Sequence, residues 1–136
     1  MADVAVGLKW TGEALQFDGS AANGQQIRLD GDGSTGPSPM AALLLSFAGC
    51  MAADIIDITT KGRTAIGGLD VRVEGDRAPA VPRRYTRIVM QFTATGVAAA
   101  DEPKLQRALA LSREKYCSVL HSLRPDIDLE FDLKLA

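Results

Sequence analysis

The sequence has little aromatic character, a small net charge and few metal ligands. Its 136 residues include 5% Phe, Trp and Tyr, and 15 basic against 17 acidic side chains leave a formal net charge of −2. Such a chain has neither the positive field that gathers nucleic acid or anionic membranes nor many aromatic side chains for base stacking. One histidine and two cysteines, without a Cys-x-x-Cys or paired-His spacing, do not make a zinc set. We therefore expect no nucleic-acid partner, no membrane partner, no metal and no cofactor.

Long hydrophobic segments are also scarce. The longest, residues 39–53, covers 15 residues and is interrupted by Ser46, which is too short for a bilayer span and typical of a buried helix. The first residues lack the basic and then apolar pattern of a secretory signal. We expect a cytoplasmic protein, in which two cysteines are more often a reactive dithiol or two inert core thiols than a structural disulfide.

The length and the residue patterning predict one α+β domain over residues 1–136. The predicted order is βββαββαβ, and the first three strands form an antiparallel meander because their connections are too short for a parallel crossover. In chain order, the patterning predicts strands over Val4–Trp10, from Leu15 and over Gln26–Asp30, a helix from Pro39 to Gly62, strands over Gly67–Gly75 and Tyr85–Thr95, a helix over Glu102–Val119 and a strand over Ile127–Leu135.

The first predicted helix is apolar nearly all round from Met40 to Ala53. Ser38 is its predicted N-cap and Pro39 its first residue, where the missing N–H costs nothing. A helix that is apolar on every side must be covered on every side, which one meander cannot do. We expect either the later strands or a second copy of the chain to cover it.

The second predicted helix has Asp101 as its N-cap. It places Leu105, Leu109, Ser112 and Tyr116 on one stripe. We expect this stripe to face the core.

Two apparent ligand motifs and the histidine have simpler explanations. The pattern Gly31-x-Gly33-x-x-Gly36 formally matches a dinucleotide fingerprint, but prolines and a meander surround it, so we interpret it as a flexible turn loop. As a calcium loop it has Thr35 where glycine is needed and Ala41 where a bidentate glutamate is needed. His121 follows the second helix, and we expect a partly exposed surface or cap residue.

The two cysteines are the strongest candidates for chemistry. Cys50 lies within the first predicted helix among small residues that let a ligand approach its sulfur, and Cys117 lies near the end of the second. Spacing alone leaves open whether they are two inert core thiols or a functional pair. A thiol in an apolar pocket reacts only if a cation or hydrogen-bond donor favours the thiolate. The candidate cations are Arg28, Arg63, Arg72, Arg113 and Lys115.

Two long motifs, each centred on one cysteine, carry a family resemblance. Residues 36–45 lead to Ala48-Gly49-Cys50, followed by residues 54–58 and Lys61-Gly62-Arg63; residues 112–119 surround Cys117. Together they resemble the OsmC/Ohr family, and most closely its YhfA-like branch of OsmC-type redox proteins. The resemblance covers nearly the whole chain in order.

The resemblance implies a fold, a partner and a reaction. The family fold is α+β, with two antiparallel sheets around central cysteine-bearing helices in an intertwined homodimer. Characterised members reduce organic hydroperoxides with an external thiol reductant. By match, Cys50 attacks the peroxide and becomes a sulfenic acid, and Cys117 resolves it as a disulfide.

Two departures from the family pattern keep a second function open. Peroxidase members carry a glutamate where this chain has Met40, and an arginine in the first hairpin, where residues 10–19 contain none. Arg28 lies on a different predicted strand, so that role is not transferred to it. The alternative is a non-catalytic binder of a small apolar ligand at the dimer interface on the same fold. A weaker third hypothesis is a thiol sensor whose disulfide changes partner binding.

Overall fold

The computed structural model describes residues 2–136. Contacts along the chain divide it into two compact units, the first ending at Leu43 and the second beginning at Leu44. The element order is the predicted βββαββαβ, with short helical turns added around the second helix. The α+β class is confirmed, and the assignment of all 136 residues to one domain stays a prediction.

The first unit contains an antiparallel meander, as predicted. Strands β1 (Val6–Trp10), β2 (Gln16–Ala21) and β3 (Gln26–Asp30) lie in the order β1-β2-β3. The β2–β3 connection turns at Asn23 and Gly24, where Gly24 has a φ of 84° that favours glycine. The short connections therefore set the antiparallel pairing.

One face of this meander is apolar. The register places Leu8 opposite Gly19 and Trp10 opposite Phe17, so their side chains point to the same side of the sheet. We call Val6, Leu8, Trp10, Phe17, Ile27 and Leu29 the apolar face of the first sheet. In the single chain Val6 is 77%, Leu8 61%, Trp10 57% and Ile27 52% exposed. Burial of this face would release a substantial hydrophobic free energy.

The glycine loop after β3 is organised by one buried carboxylate. Asp30 is 1% exposed and accepts hydrogen bonds from Asp32 N (2.8 Å), Thr35 N (2.9 Å) and Thr35 Oγ1 (2.8 Å). These bonds favour the ionised form and lower the pKa of Asp30, with the Thr35 N–H bond as the largest cause. The loop is thus an internally hydrogen-bonded turn, and its expected flexibility stays a prediction.

Helix α1 (Pro39–Lys61) begins as predicted. Ser38 Oγ accepts a hydrogen bond from Ala41 N at 3.1 Å, which caps the helix. The helix continues past the apolar segment 39–53 to a length of 23 residues, close to the predicted bounds. By length and composition alone it could cross a membrane, a test that core helices of soluble proteins also pass. Within the single chain, 22% of its apolar window is buried.

The second sheet is mixed. Strands β4 (Gly68–Arg77) and β5 (Tyr85–Thr95) pair antiparallel, whereas β6 (Asp128–Leu135) runs parallel to β5 in the order β4-β5-β6. The expectation of two antiparallel sheets is therefore wrong for this one. The chain leaves β5 and returns through a helical crossover, which is the connection that parallel neighbours require.

That crossover is broken into pieces where one helix over Glu102–Val119 was predicted. A short 3₁₀ turn (Ala99–Asp101) precedes α2 (Glu102–Leu111), followed by a π turn (Ser112–Tyr116) and α3 (Ser118–Ser122). Asp101 is the N-cap residue of α2, as predicted, but its side chain makes no capping bond. Its carboxylate instead pairs with Lys104 Nζ at 3.2 Å.

The core of the second unit lies between the helices and the second sheet. Phe47 of α1 meets Phe131 of β6 edge to face, with 6.2 Å between ring centroids. Gln106 Nε2 of α2 donates to the backbone carbonyl of Leu133 at 2.8 Å. The buried side chains of this unit include Phe47, Met51, Ile55, Ile88, Met90, Phe92, Ala94, Leu105 and Leu109. This packing holds α1 and the crossover against the same sheet. Cys50 lies on α1, and Cys117 lies on the crossover.

Candidate functional site

Helix α1 carries Cys50 beside its buried ridge. Phe47, Met51 and Ile55 repeat at four-residue intervals and are 0% exposed. Cys50 is one position before Met51 and is half-buried as a free thiol. Its sulfur is therefore held by a well-packed helix without being sealed off in the single chain.

The π turn decides where Cys117 points. The backbone N–H of Cys117 donates to the carbonyl of Ser112, five residues earlier, at 2.9 Å. The wider turn shifts the predicted stripe after Ser112 by one position, because a π turn spans one more residue than an α turn. Tyr116, expected on the core stripe, is 49% exposed, and Cys117 is 0% exposed. That expectation for Tyr116 is corrected accordingly.

Cys117 also begins α3. Its backbone is extended (φ −71°, ψ 102°), and its Sγ accepts a hydrogen bond from Leu120 N at 3.3 Å, as an N-cap side chain does. His121 is exposed on α3, as expected for a surface or cap residue. Its Nδ1 lies 2.8 Å from the Cys117 carbonyl, an acceptor, so Nδ1 carries the proton. The cysteine is thus fixed by hydrogen bonds at both its backbone and its sulfur.

The structure places the two thiols near each other. Both cysteines are free, and the Cys50 side chain is close enough to raise the pKa of Cys117. The pKa of Cys117 rises from 9.0 to about 11, first because burial removes the thiol from water and then because of the neighbouring Cys50 thiol; the Leu120 N–H opposes both effects. At neutral pH, Cys117 is therefore protonated.

A second contact beside the thiols was not predicted from the sequence. Ser112, fully buried, donates from Oγ to Asp54 Oδ2 at 2.8 Å. Asp54 lies one α-helical turn after Cys50, and Ser112 lies one π turn before Cys117. Helical spacing from Cys50 would have shown that Asp54 shares its face. No local pattern could have shown that Ser112, 58 positions away, is its partner.

The candidate cations have their contacts elsewhere. Arg28 Nε pairs with Asp18 at 2.7 Å on the first sheet, and Arg72 Nε pairs with Glu74 at 3.0 Å. Arg113 lies over the Phe131 ring, 4.9 Å from its centroid. The remaining candidates are Lys115, which lies 5.3 Å from the Tyr116 ring centroid, and Arg63, an exposed residue with φ 57° just after α1. Within residues 2–136, none of these five cations makes a hydrogen bond to either thiol.

The side chains that ligate metals are not clustered in the part of the chain that the structure describes. Across residues 2–136, no cluster of three or more His, Cys, Asp or Glu side chains could hold a metal ion. The paired thiols with a neighbouring Ser–carboxylate bond are instead suited to reversible oxidation, because adjacent thiols can join as a disulfide.

Comparison with known proteins gives a consistent result. Residues 31–132 match the family model described as "OsmC-like protein". Protein YhfA of Escherichia coli K12 is 38% identical over 123 residues, 90% of each chain. A hypothetical protein from Aquifex aeolicus VF5 has a similar crystal structure, with a TM-score of 0.86 and 29% identity over 100% of this chain and 98% of that one. The organic hydroperoxide resistance protein OhrB of Bacillus subtilis shares the fold, with a TM-score of 0.62 and 15% identity over 98% of both chains.

Proposed function

Because the chain belongs to the OsmC-like family, we propose that it is a cysteine redox protein that reduces organic hydroperoxides at the expense of thiols. The observation that carries this proposal is the proximity of the two cysteines: the Ser112–Asp54 bond joins the segments that carry them, and Cys50 lies close enough to Cys117 to raise its pKa. Two neighbouring thiols can join as a disulfide and separate again. The family membership and the likeness to hydroperoxide resistance proteins support the substrate class.

Unequal surroundings support a division of roles between the two cysteines. Cys50 is only half-buried, so a small molecule can reach it. Cys117 is fully buried, and its raised pKa keeps it protonated at neutral pH. In the proposed mechanism Cys50 attacks first and Cys117 resolves, because the nucleophile is a thiolate that must reach the substrate.

The proposed reaction balances in three steps. The Cys50 thiolate attacks a peroxide oxygen, the O–O bond breaks, and the alkoxide leaves and takes a proton to become an alcohol. The sulfenic acid on Cys50 then condenses with the Cys117 thiol; the S–S bond forms, and the hydroxyl leaves with the thiol proton as water. Two equivalents of an external thiol reduce the disulfide by exchange and are themselves oxidised to a disulfide.

The direct test follows the two thiols during oxidation. Reduced protein is mixed with cumene hydroperoxide or tert-butyl hydroperoxide, and free thiols and bound mass are followed over time. We expect stoichiometric loss of both thiols in the wild type and no turnover in Cys50→Ser. Cys117→Ser is expected to accumulate a Cys50 sulfenic acid that dimedone traps. Retention of both thiols in the wild type at excess hydroperoxide would contradict the proposal.

We also propose that the working protein is a homodimer in the cytoplasm. The apolar face of the first sheet, with Leu8 and Trp10 more than half exposed, supports a second copy as its cover. A reducing compartment supplies the thiols that the cycle consumes. Sedimentation analysis of the reduced protein tests the first point, and a stable monomer at all concentrations would overturn it.

A binding function on the same fold is the alternative that one observation favours. An open, largely apolar groove of about 580 Å³ runs along the exposed side of α1, lined by Ala52, Ala53, Ile56, Asp57, Thr60 and Leu69. A small apolar ligand would bury its surface there. Native mass spectrometry of freshly purified protein distinguishes the two functions. A bound apolar molecule with unreactive thiols would favour the binder and exclude the peroxidase.

A further inference from the structure

We propose that the hydrogen bond from Ser112 to Asp54 positions Cys117 against Cys50 and so sets how readily the two sulfurs join. This inference rests on the proposed use of the two cysteines as a redox pair. Ser112 and Asp54 are positioning residues in this scheme, since neither touches the substrate or forms the new bond.

The bond ties together the two elements that carry the cysteines. Asp54 lies on α1, four residues after Cys50, and Ser112 opens the π turn that ends at Cys117. The Ser112 Oγ to Asp54 Oδ2 distance is 2.8 Å, and Ser112 has no exposed surface. This length is typical of a well-formed hydrogen bond from a hydroxyl to an oxygen acceptor.

Ser112 also controls the turn itself. While its side chain holds α1, its carbonyl accepts the N–H of Cys117 at 2.9 Å, which closes the π turn. One residue thus bonds the helix of the first cysteine and the backbone of the second. Without the side-chain bond the turn is free to move relative to α1. The effective concentration of one sulfur at the other therefore falls.

Condensation needs this positioning more than it needs a base. As Cys117 attacks the Cys50 sulfenic acid, the thiol proton leaves with the departing hydroxyl as water, so the step is balanced without Asp54 accepting a proton. The Asp54 carboxylate already accepts a hydrogen bond from the Ser112 hydroxyl. A variant that keeps the acceptor without the charge should therefore keep the effect.

The test measures disulfide formation without any hydroperoxide. Purified protein is equilibrated in anaerobic glutathione buffers of graded redox ratio, alkylated, and analysed by mass spectrometry for the Cys50–Cys117 disulfide. Ser112→Ala and Asp54→Ala are each expected to lower the equilibrium constant for disulfide formation roughly tenfold, about 30 mV for a two-electron couple. Asp54→Asn, which still offers an amide oxygen to Ser112, is expected to stay within about twofold of the wild type, the size expected for a retained hydrogen bond.

Matched controls separate this role from general destabilisation. Asp57→Ala removes a carboxylate from the same helix, where it is exposed and pairs with Lys61. Ser122→Ala removes an exposed hydroxyl from α3. Both are expected to match the wild type, and circular dichroism checks folding throughout. If Asp54→Ala does not fold, Ser112→Ala decides, because alanine replaces the buried serine with little change in volume.

The outcomes of the two proposals are distinguishable. Wild-type potentials in both Ser112→Ala and Asp54→Ala overturn the positioning role, as does an Asp54→Asn shift as large as that of Asp54→Ala. If wild-type thiols ignore hydroperoxides but the potentials shift as expected, the peroxidase proposal fails and the positioning role stands. If hydroperoxides do react, Ser112→Ala should oxidise Cys50 at the wild-type rate and form the disulfide about tenfold more slowly, in proportion to the lost effective concentration.

Discussion

At the scale of single residues, the protonation of Cys117 links the site to the stability of the protein. Its folded pKa of about 11 lies above the ordinary 9.0, chiefly because burial removes the thiol from water. As the pH rises, the unfolded chain therefore loses this proton before the folded one does. The resulting contribution to stability is complete below pH 9 and is lost as the pH rises to about 11.

This predicts a specific pH dependence for the reduced protein. Between pH 9 and 11 the free energy of unfolding of the wild type should fall more steeply than that of Cys117→Ser. Serine does not titrate there, and its hydroxyl can still accept the Leu120 N–H that caps α3. Urea denaturation at a series of pH values measures both slopes. Parallel slopes would show that Cys117 titrates normally in the folded state.

Residue patterns point to Cys50 and Cys117 as candidates but not to the hydrogen bond beside them. Both cysteines stand out because each is surrounded by a long motif, and the sequence has no others. The bond between Ser112 and Asp54 joins residues 58 positions apart, and that pairing exists only after α1 and the crossover have packed on one sheet. Tertiary hydrogen bonds of this kind leave no periodic signature in the chain.

At the scale of elements, the π turn adapts the crossover to its cysteine. Sequence periodicity predicts an uninterrupted helix there, since the segment Ser112–Tyr116 contains neither glycine nor proline. The structure instead has one extra residue in the turn. As a result, Cys117 lies on the buried stripe and Tyr116 is exposed. Such turns often occur at functional sites.

A pair of length variants tests the function of that extra residue. Insertion of one alanine after Glu114 should rotate Cys117 by about 100° around the helix axis and lower the equilibrium constant for disulfide formation about a hundredfold, as an effective-concentration loss. Deletion of Glu114 converts the turn to α-helical spacing and leaves Cys117 on the same face, within about tenfold of the wild type. Glutathione titration with alkylation and mass spectrometry measures both.

A substitution at the same position is the control for the two length variants. Glu114→Ala changes the exposed side chain at the same position without changing the length, and it should match the wild type. An insertion variant that folds and still forms the disulfide normally would show that the π turn does not orient Cys117.

Strand prediction succeeded for the strands themselves and for the antiparallel first sheet, and it failed for the direction of β6. The bounds of β3 and β5 match the prediction, because alternating patterns end at clear turn signals. The parallel direction of β6 was missed, since period-two alternation is the same for either direction. The length of the helical connection between β5 and β6 indicates the parallel direction. A connection of this length can cross the sheet and begin the next strand at the same end as the previous one.

At the scale of the whole molecule, the first sheet presents more apolar surface than a single chain covers. Val6, Leu8, Trp10 and Ile27 are each more than half exposed. Trp10 Nε1 already donates to the Ala14 carbonyl at 3.1 Å, so its ring needs no polar partner. A proposed second copy would bury this face twice in a two-fold arrangement, and each buried leucine contributes about 2 kcal/mol.

Leu8→Gln is therefore expected to weaken the proposed dimer by more than the loss of a single leucine contact. Because the substitution occurs once per chain, a two-fold interface loses about 4 kcal/mol, roughly a thousandfold in the dissociation constant. Lys9→Gln is the matched control, because the next residue in β1 points to the opposite face of the sheet. Sedimentation across a range of concentrations should show dimers for the wild type and Lys9→Gln and monomers for Leu8→Gln. Equal dimerisation of the two variants would show that the apolar face is not the interface, whatever the peroxidase assay shows.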